Sequence, residues 1–181
     1  MLGEIRNDDI NYAETDLDGS DTFYLAGVTW EASNNTTGTL KLGREERDPD
    51  SAALSDFSGT TWEAEVEWRP RSYSTVTFRS ISTTEEPEGT GDFRERAQTG
   101  INWTHEWGDR FSTSIDASLG SLDFGANPRS DDIGDAFVSI SYKMSRWIDL
   151  RAEYRYATVD SNLEQFEFRR NLYSVGIWGT P

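Results

Sequence analysis

Cysteine is absent from the 181-residue sequence, and histidine occurs only once, at position 105. Without cysteine the chain has no disulfide framework and no thiolate metal site. One histidine with no cysteine beside it argues against zinc coordination and against a Ser-His-Asp triad. His105 lies between Trp103 and Trp107 on a predicted apolar face, so a place in an aromatic band is favoured over a general base. We therefore predict no metal, no cofactor and no catalytic residue.

Basic residues and long apolar runs are also scarce. The chain has 17 Lys and Arg against 33 Asp and Glu, which gives a net charge of −16. Such a balance excludes nucleic acid as a partner, because phosphate contacts need clustered basic side chains. No apolar run approaches about 18 residues, so no transmembrane helix is predicted. The first residues lack the pattern of a secretory signal peptide, as expected of a cytoplasmic protein, a mature chain or a fragment.

A strict alternation of apolar and polar residues is present instead, and it is clearest near the C-terminus. Residues 136–144 and 148–156 each place apolar side chains on one face and polar or charged side chains on the other. This period of two is that of a β-strand. Only three residues, 145–147, separate the two segments, so they must be antiparallel neighbours. The 13% aromatic content and the sustained pattern argue against disorder, despite the high charge.

The same unit repeats along the whole chain and predicts an all-β fold in a single domain over residues 1–181. We expect nine or ten strands in one antiparallel up-and-down meander. The first of them is weak and is followed by a loop that ends near residue 19. The predicted strands are 5–13, 22–31, 37–47, 60–68, 74–84, 93–107, 111–122, 136–144, 148–156 and 166–179.

Strand length and loop length favour a transmembrane barrel over a soluble sheet. Several segments run to ten residues or more, whereas globular strands average about five or six and a bilayer-spanning strand needs about 9–11. The connections also alternate between short and long, as in outer-membrane barrels. The short set is 33–35, 69–73, 108–109 and 145–146, the long set is 48–59, 85–92 and 123–134, and 160–165 is a short exception.

The tryptophans are concentrated beside the short connections. An aromatic band at one lipid–water interface has this distribution, whereas a soluble sandwich would place tryptophan in its core. Trp62 lies at the opposite end, and the face of Trp178 is left open by its strand's phase. The predicted interfacial girdle is Trp30, Trp68, Trp103, Trp107 and Trp147. This band predicts that the strands span a lipid bilayer.

The polar rows of the strands are the candidate lumen. Mixed charges there would either set the preference of a wet pore for ions or sugars, or pair across strands and plug a narrow barrel. The predicted lumen-lining residues are Lys41, Glu45, Glu63, Glu65, Glu67, Arg79, Arg96, Asp116, Lys143, Asp149, Arg151, Glu153 and Arg155. These carboxylates are too numerous to single out a catalytic pair.

The long connections carry a second set of carboxylates. Divalent ions could bridge them to lipopolysaccharide phosphates, although an ordinary solvated loop is the preferred interpretation. These residues are Asp48, Asp50, Glu85, Glu86, Glu88, Asp131 and Asp132.

Several short motifs, in this order, resemble the putative outer-membrane β-barrel porin type 2 family, whose members often occur in exopolysaccharide or capsule loci. The resemblance covers roughly residues 20–179. The motifs are Thr36-Thr37-Gly38-Thr39-Leu40-Lys41-Leu42-Gly43, Phe57-Ser58-Gly59, Trp68-Arg69-Pro70-Arg71, Arg129-Ser130-Asp131-Asp132, Trp147 with Tyr154-Arg155-Tyr156, Asp160-Ser161-Asn162, and Arg170-Asn171.

The resemblance implies a barrel in the outer membrane of a Gram-negative bacterium, with a structural or transport role that could include exopolysaccharide export. It implies outer-membrane lipid and lipopolysaccharide as partners, with polysaccharide or export machinery as further ones. Family members are about twice this length and carry a signal peptide, so the chain is expected to be the C-terminal part of a larger barrel. Two alternatives remain open: a soluble or secreted all-β binding module, and a barrel enzyme acting on glycan or lipid.

Overall fold

A computed structural model describes residues 2–10, 19–49, 57–85, 94–125 and 128–179. Ten strands occupy most of these ranges, and one short 3-10 turn, Glu164–Phe166, precedes the last strand. Among the described residues, no helix is long and apolar enough to cross a bilayer. The strands are β1 Leu2–Ile10, β2 Gly19–Ser33, β3 Thr36–Pro49, β4 Phe57–Arg71, β5 Ser74–Glu85, β6 Arg94–Glu106, β7 Phe111–Phe124, β8 Ser130–Lys143, β9 Ile148–Ser161 and β10 Phe168–Gly179.

The strands form one sheet in which each strand pairs with its neighbours in sequence. The order runs from β1 to β10, and every pairing is antiparallel. In the described ranges β1 pairs only with β2 and β10 only with β9, so these two are the outer strands. The prediction of an all-β, antiparallel up-and-down fold is confirmed.

The predicted loop over 123–134 is wrong for most of its length. β7 continues to Phe124 and β8 begins at Ser130, and Asp123 pairs with Ser130 across the hairpin. At this end of the hairpin the apolar face turns polar, with Ser121 opposite Asp132 and Asp123 opposite Ser130, while Leu122 and Ile133 lie on the charged face, so the hydrophobic pattern is interrupted although the backbone ladder goes on. Loss of the side-chain pattern therefore does not mark the end of a strand.

Cross-strand register sorts the side chains into two faces of opposite character, because paired residues point the same way. The apolar face includes Ile5, Tyr24, Leu42, Trp62, Val66, Phe78, Ile101, Ala117, Val138, Tyr154 and Val175. The charged face includes Glu4, Lys41, Glu63, Arg79, Arg96, Asp116, Asp135, Arg155 and Arg170.

Exposure is reversed relative to a water-soluble sheet. On the apolar face Val175 is 87% exposed and Leu119 is 73% exposed. On the charged face Phe23 and Leu25 are buried, and the carboxylate-bearing Glu45 is only 1% exposed. The polar side is thus the more enclosed one, which is the arrangement that a wet interior and a lipid exterior require.

Two glycines allow large side chains to cross the sheet surface. A Cβ on Gly38 would clash with Cζ2 of Trp30, so the indole lies directly over the glycine on the apolar face. On the charged face a Cβ on Gly27 would lie 2.9 Å from Cγ of Lys41. Both close approaches depend on the missing side chain.

Candidate functional site

All the predicted lumen-lining residues lie on the charged face. Their register positions connect β3 through β9 without a change of side. The structure thus brings together on one surface residues that are spread over more than a hundred positions of sequence. The contacts between them differ from one part of this face to another.

Lys41 is the centre of an ion-pair cluster on the first four strands. Its Nζ lies 2.7 Å from Oε2 of Glu4 and 3.2 Å from Oε2 of Glu63. Glu63 is on the neighbouring strand β4, but Glu4 is on β1, two strands away. The lysine stem passes over Gly27 on the strand between them. One ammonium group thus contacts two carboxylates, and the cluster keeps a net negative charge.

Ion pairs continue along β4 and β5. Arg79 Nε lies 2.6 Å from Oε2 of Glu65, its direct cross-strand partner. Arg69 Nη2 lies 2.8 Å from Oε1 of Glu67 on the same strand. These pairs are largely exposed, and each contributes little to stability by itself. Together with Lys41, these arginines place a cation beside each of three glutamates of β4, namely Glu63, Glu65 and Glu67.

Aromatic rings accompany the arginines on the last strands. Arg155 Cζ lies 5.3 Å from the ring centre of Phe137, its cross-strand partner. Arg151 Cζ lies 4.8 Å from the ring of Trp178. Register pairs Trp178 with Asp149, so its indole lies on the charged face. The sequence leaves the face of Trp178 open, and the register assigns it to the charged face. Trp178 is therefore not on the face that carries Trp103.

A loop clasp closes the long-connection end of β7 to β10; we define it as Phe124, Arg129, Asp131, Asn162 and Phe166. The Arg129 guanidinium lies 3.7 Å from the ring centre of Phe166 and 4.4 Å from that of Phe124. Its Nε donates to both oxygens of Asp131, at 3.0 and 2.9 Å, and Nη2 donates to Oδ2 as well. Asn162 Oδ1 accepts the Ser130 N–H at 3.0 Å. These contacts tie two connections to each other.

The clasp corrects one prediction about the loop carboxylates. Asp131 is not a solvated loop residue: it is 1% exposed and lies on the charged face of β8. Asp132 is exposed, on the opposite face, and pairs with Asp160. Because two carboxylates face each other at this level, Asp132 and Asp160 lie outside the apolar part of their face. Asp48 is the next-to-last residue of β3 and Glu85 ends β5, while Asp50, Glu86 and Glu88 lie outside the described residues.

Burial opposes ionisation of Asp131, but hydrogen bonds from Arg129 and Ser161 outweigh it and hold the pKa of the carboxyl below its ordinary value of 3.8. The folded chain therefore binds fewer protons here than the unfolded chain. We expect this carboxylate to stabilise the fold above that ordinary value and to lose its contribution as the pH falls through the folded-state pKa.

The measurement is urea unfolding in detergent micelles between pH 7 and pH 3 for the native chain and for Asp131→Asn. The difference in unfolding free energy between the two should be largest at neutral pH and shrink in acid. A difference that stays constant with pH would contradict the role assigned to Asp131.

The predicted girdle tryptophans lie towards the short connections. Trp103 Nε1 donates to Ser74 Oγ and Trp107 Nε1 to Thr113 Oγ1, both at 2.9 Å. His105 lies between the two indoles, with ring centres 5.4 Å from Trp103 and 4.2 Å from Trp107. An indole with a satisfied N–H and an exposed ring suits a lipid–water boundary. Trp30, Trp68 and Trp147 occupy the same end of the sheet, in β2, in β4 and before β9.

A cleft of about 730 Å³ opens beside this aromatic group. Tyr73, His105, Arg110 and Lys143 are among its lining residues. No group of three or more metal-ligating side chains was found in the part of the chain that the structure describes. The cleft lies at the short-connection end of the strands and takes its lining from both faces, with His105 and Phe111 from the apolar face and Lys143 from the charged face.

Sequence reasoning missed the clasp. Its rings and its guanidinium come from two connections far apart in sequence, and no spacing rule links Phe124 to Phe166. The motif around Arg129 and the one around Asn162 are separate in the sequence. In the structure they contact each other, and Asn171 of a third motif accepts a hydrogen bond from Tyr154 Oη at 2.8 Å.

Comparison with known proteins gives one family match. The family model described as "Putative beta-barrel porin 2" matches residues 3–179, nearly the whole chain and including β1. No curated protein and no solved structure was found to match the chain. Membership of a porin-like barrel family implies an outer-membrane location. A ten-stranded meander with one lipid-suited face and one charged face agrees with this match, and the chain belongs to the putative β-barrel porin 2 family.

Proposed function

We propose that the chain forms the wall of an outer-membrane porin whose charged face lines a water-filled passage. One observation carries this proposal: the sheet exposes its apolar face and encloses its charged face. A surface of exposed Val, Leu, Ile and Tyr side chains is stable in lipid and unstable in water. The charged face is then the side along which a hydrophilic solute moves.

The solute class we propose is exopolysaccharide of a Gram-negative bacterium, on the basis of the motif resemblance to barrels of polysaccharide loci. The girdle tryptophans would contact outer-membrane lipid. The carboxylates at the long-connection end of the sheet would face lipopolysaccharide. The chain acts as a conduit and not as an enzyme. Ion pairs on β3 to β5 would narrow one side of the passage.

The natural absence of cysteine allows a direct test. Ser118→Cys places a thiol on the charged face of β7, and Ala117→Cys places one next to it on the apolar face. In planar lipid bilayers, a water-soluble bulky thiol reagent should lower the conductance of the Ser118→Cys chain. The Ala117→Cys chain is the matched control and should be unaffected, since its thiol faces lipid.

Two results would overturn the proposal. Folded barrels that give no conductance would remove the passage. Equal modification of both thiols would mean that the two faces are equally wet, as in a soluble sheet. A soluble binding module would also need a layer over the apolar face, and the described residues form a single sheet with no such layer.

A further inference from the structure

Two arginines on the charged face, Arg155 and Arg170, lack the ion pairs that several other cations form, as does Lys143 among the described residues. Lys41 and Arg79 contact carboxylates at 2.7 and 2.6 Å, and Arg129 is paired with Asp131. Within the described residues, Arg155 and Arg170 have no carboxylate at ion-pair distance. In a chain with a net charge of −16, unpaired guanidinium groups are not explained by a shortage of acids.

Register places these two arginines side by side. Arg155 pairs with Leu172 and Arg170 with Ala157, so they are diagonal neighbours on β9 and β10. Diagonal Cα atoms in an antiparallel pair are about 7–8 Å apart. Arg155 stacks on Phe137, which orients the guanidinium but leaves its charge uncompensated. Both arginines are exposed. Two adjacent cations of this kind suit an anionic group placed between them.

Apolar side chains flank the pair on the same face. Phe168 and Leu172 lie on either side of Arg170 along β10, and they are 48% and 54% exposed. Nearly all residues of the outer strand β10 are exposed, so these two side chains offer accessible apolar surface beside the arginines, which suits a ligand with an apolar surface of its own. A pyranose ring has such a surface in its C–H groups, and a carboxylate on the ring would reach the guanidinium groups.

We propose that Arg155 and Arg170, together with Phe168 and Leu172, form a binding site for an acidic sugar, a pyranose that carries a carboxylate. The inference deepens the proposed function, because it needs the charged face to be accessible from water. It names the chemical class of the polysaccharide: a polymer that contains uronic acid residues.

Calorimetric titration in detergent micelles tests the site without requiring transport. The probes are an oligogalacturonate trimer and maltotriose, a neutral trimer of similar size. We expect the native chain to bind the acidic trimer more tightly, and the double variant R155Q/R170Q to lose about tenfold or more of that affinity, since charged hydrogen bonds are lost. Arg169→Gln is the matched control, because Arg169 is the neighbouring residue on the opposite face of β10. Its affinity should equal that of the native chain.

Equal affinity for both trimers, or an unchanged affinity in the folded double variant, would overturn the inference. Displacement of the trimer by an equal concentration of inorganic phosphate would also overturn it, since the site would then recognise a bare anion. Migration of unboiled samples on a denaturing gel verifies that each variant is folded. A chain that conducts but does not bind the acidic trimer removes only this inference, whereas a chain that binds but does not conduct removes the transport proposal.

Discussion

Replacing Ile101 by arginine is expected to destabilise the folded chain in a lipid bilayer by about 2–4 kcal/mol, the cost of a basic side chain near the midplane of a β-barrel. Ile101 lies in the middle of β6 on the apolar face, between Phe78 and Ala117. It is 49% exposed, so little protein packing is lost on substitution. The predicted cost therefore arises almost entirely from moving a guanidinium group from water into hydrocarbon.

Asn102→Arg is the matched control, since Asn102 is the next residue and lies on the charged face. Its cost should be small, because the added charge stays in water. The measurement is the free energy of unfolding by urea in phospholipid vesicles. In a soluble sheet, an exposed surface change such as Ile101→Arg would stay within about 0.5 kcal/mol. A value that small for Ile101→Arg would refute the lipid-facing assignment.

Replacing Arg129 by alanine is expected to destabilise the fold by about 3 kcal/mol, at the lower end of the range for breaking a buried ion pair. The substitution leaves the Asp131 carboxylate in a site where it is only 1% exposed. It also removes the guanidinium that lies between the rings of Phe124 and Phe166. Ser161 still hydrogen-bonds the carboxylate, which keeps the cost from being larger.

The double variant R129A/D131N separates charge from packing. It should recover part of the lost stability, because a neutral amide costs less to bury than an unpaired carboxylate. Arg110→Ala is the control for removal of an exposed arginine and should change stability by less than about 0.5 kcal/mol. Urea unfolding in micelles at neutral pH gives all three values. A cost for Arg129→Ala no larger than that for Arg110→Ala would mean that the clasp does not hold the loops.

The strands and their faces could be predicted from the sequence because a two-residue period is a local property. Trp62, Ala64 and Val66 alternate with glutamates along β4, and no tertiary information is needed to place them on one side. The same reasoning failed for Trp178, since its strand carries apolar residues on both sides: Leu172 and Trp178 on the charged face, Val175 and Ile177 on the other. Only pairing with β9 decides between the two phases.

Contacts between distant segments could not be predicted from the sequence. The salt bridge from Lys41 to Glu4 crosses an intervening strand, and it depends on the space above Gly27. The clasp depends on two connections that are more than thirty residues apart and meet only when the sheet is formed. Alternation gives the side of the sheet on which a residue lies, but not which partner its side chain reaches.

The strictly sequential strand order has a consequence for how such a wall evolves and assembles. Among the described residues each strand pairs through its backbone only with the strands before and after it in the chain, so inserting one hairpin replaces one strand-to-strand seam by three and leaves the others in place. A gene can then lengthen or shorten the wall by duplication or loss of a single hairpin, and every other register is preserved. Each new strand pairs with the strand that precedes it in the chain. The sheet can therefore form one strand at a time, and each step closes only a short loop, which costs little chain entropy.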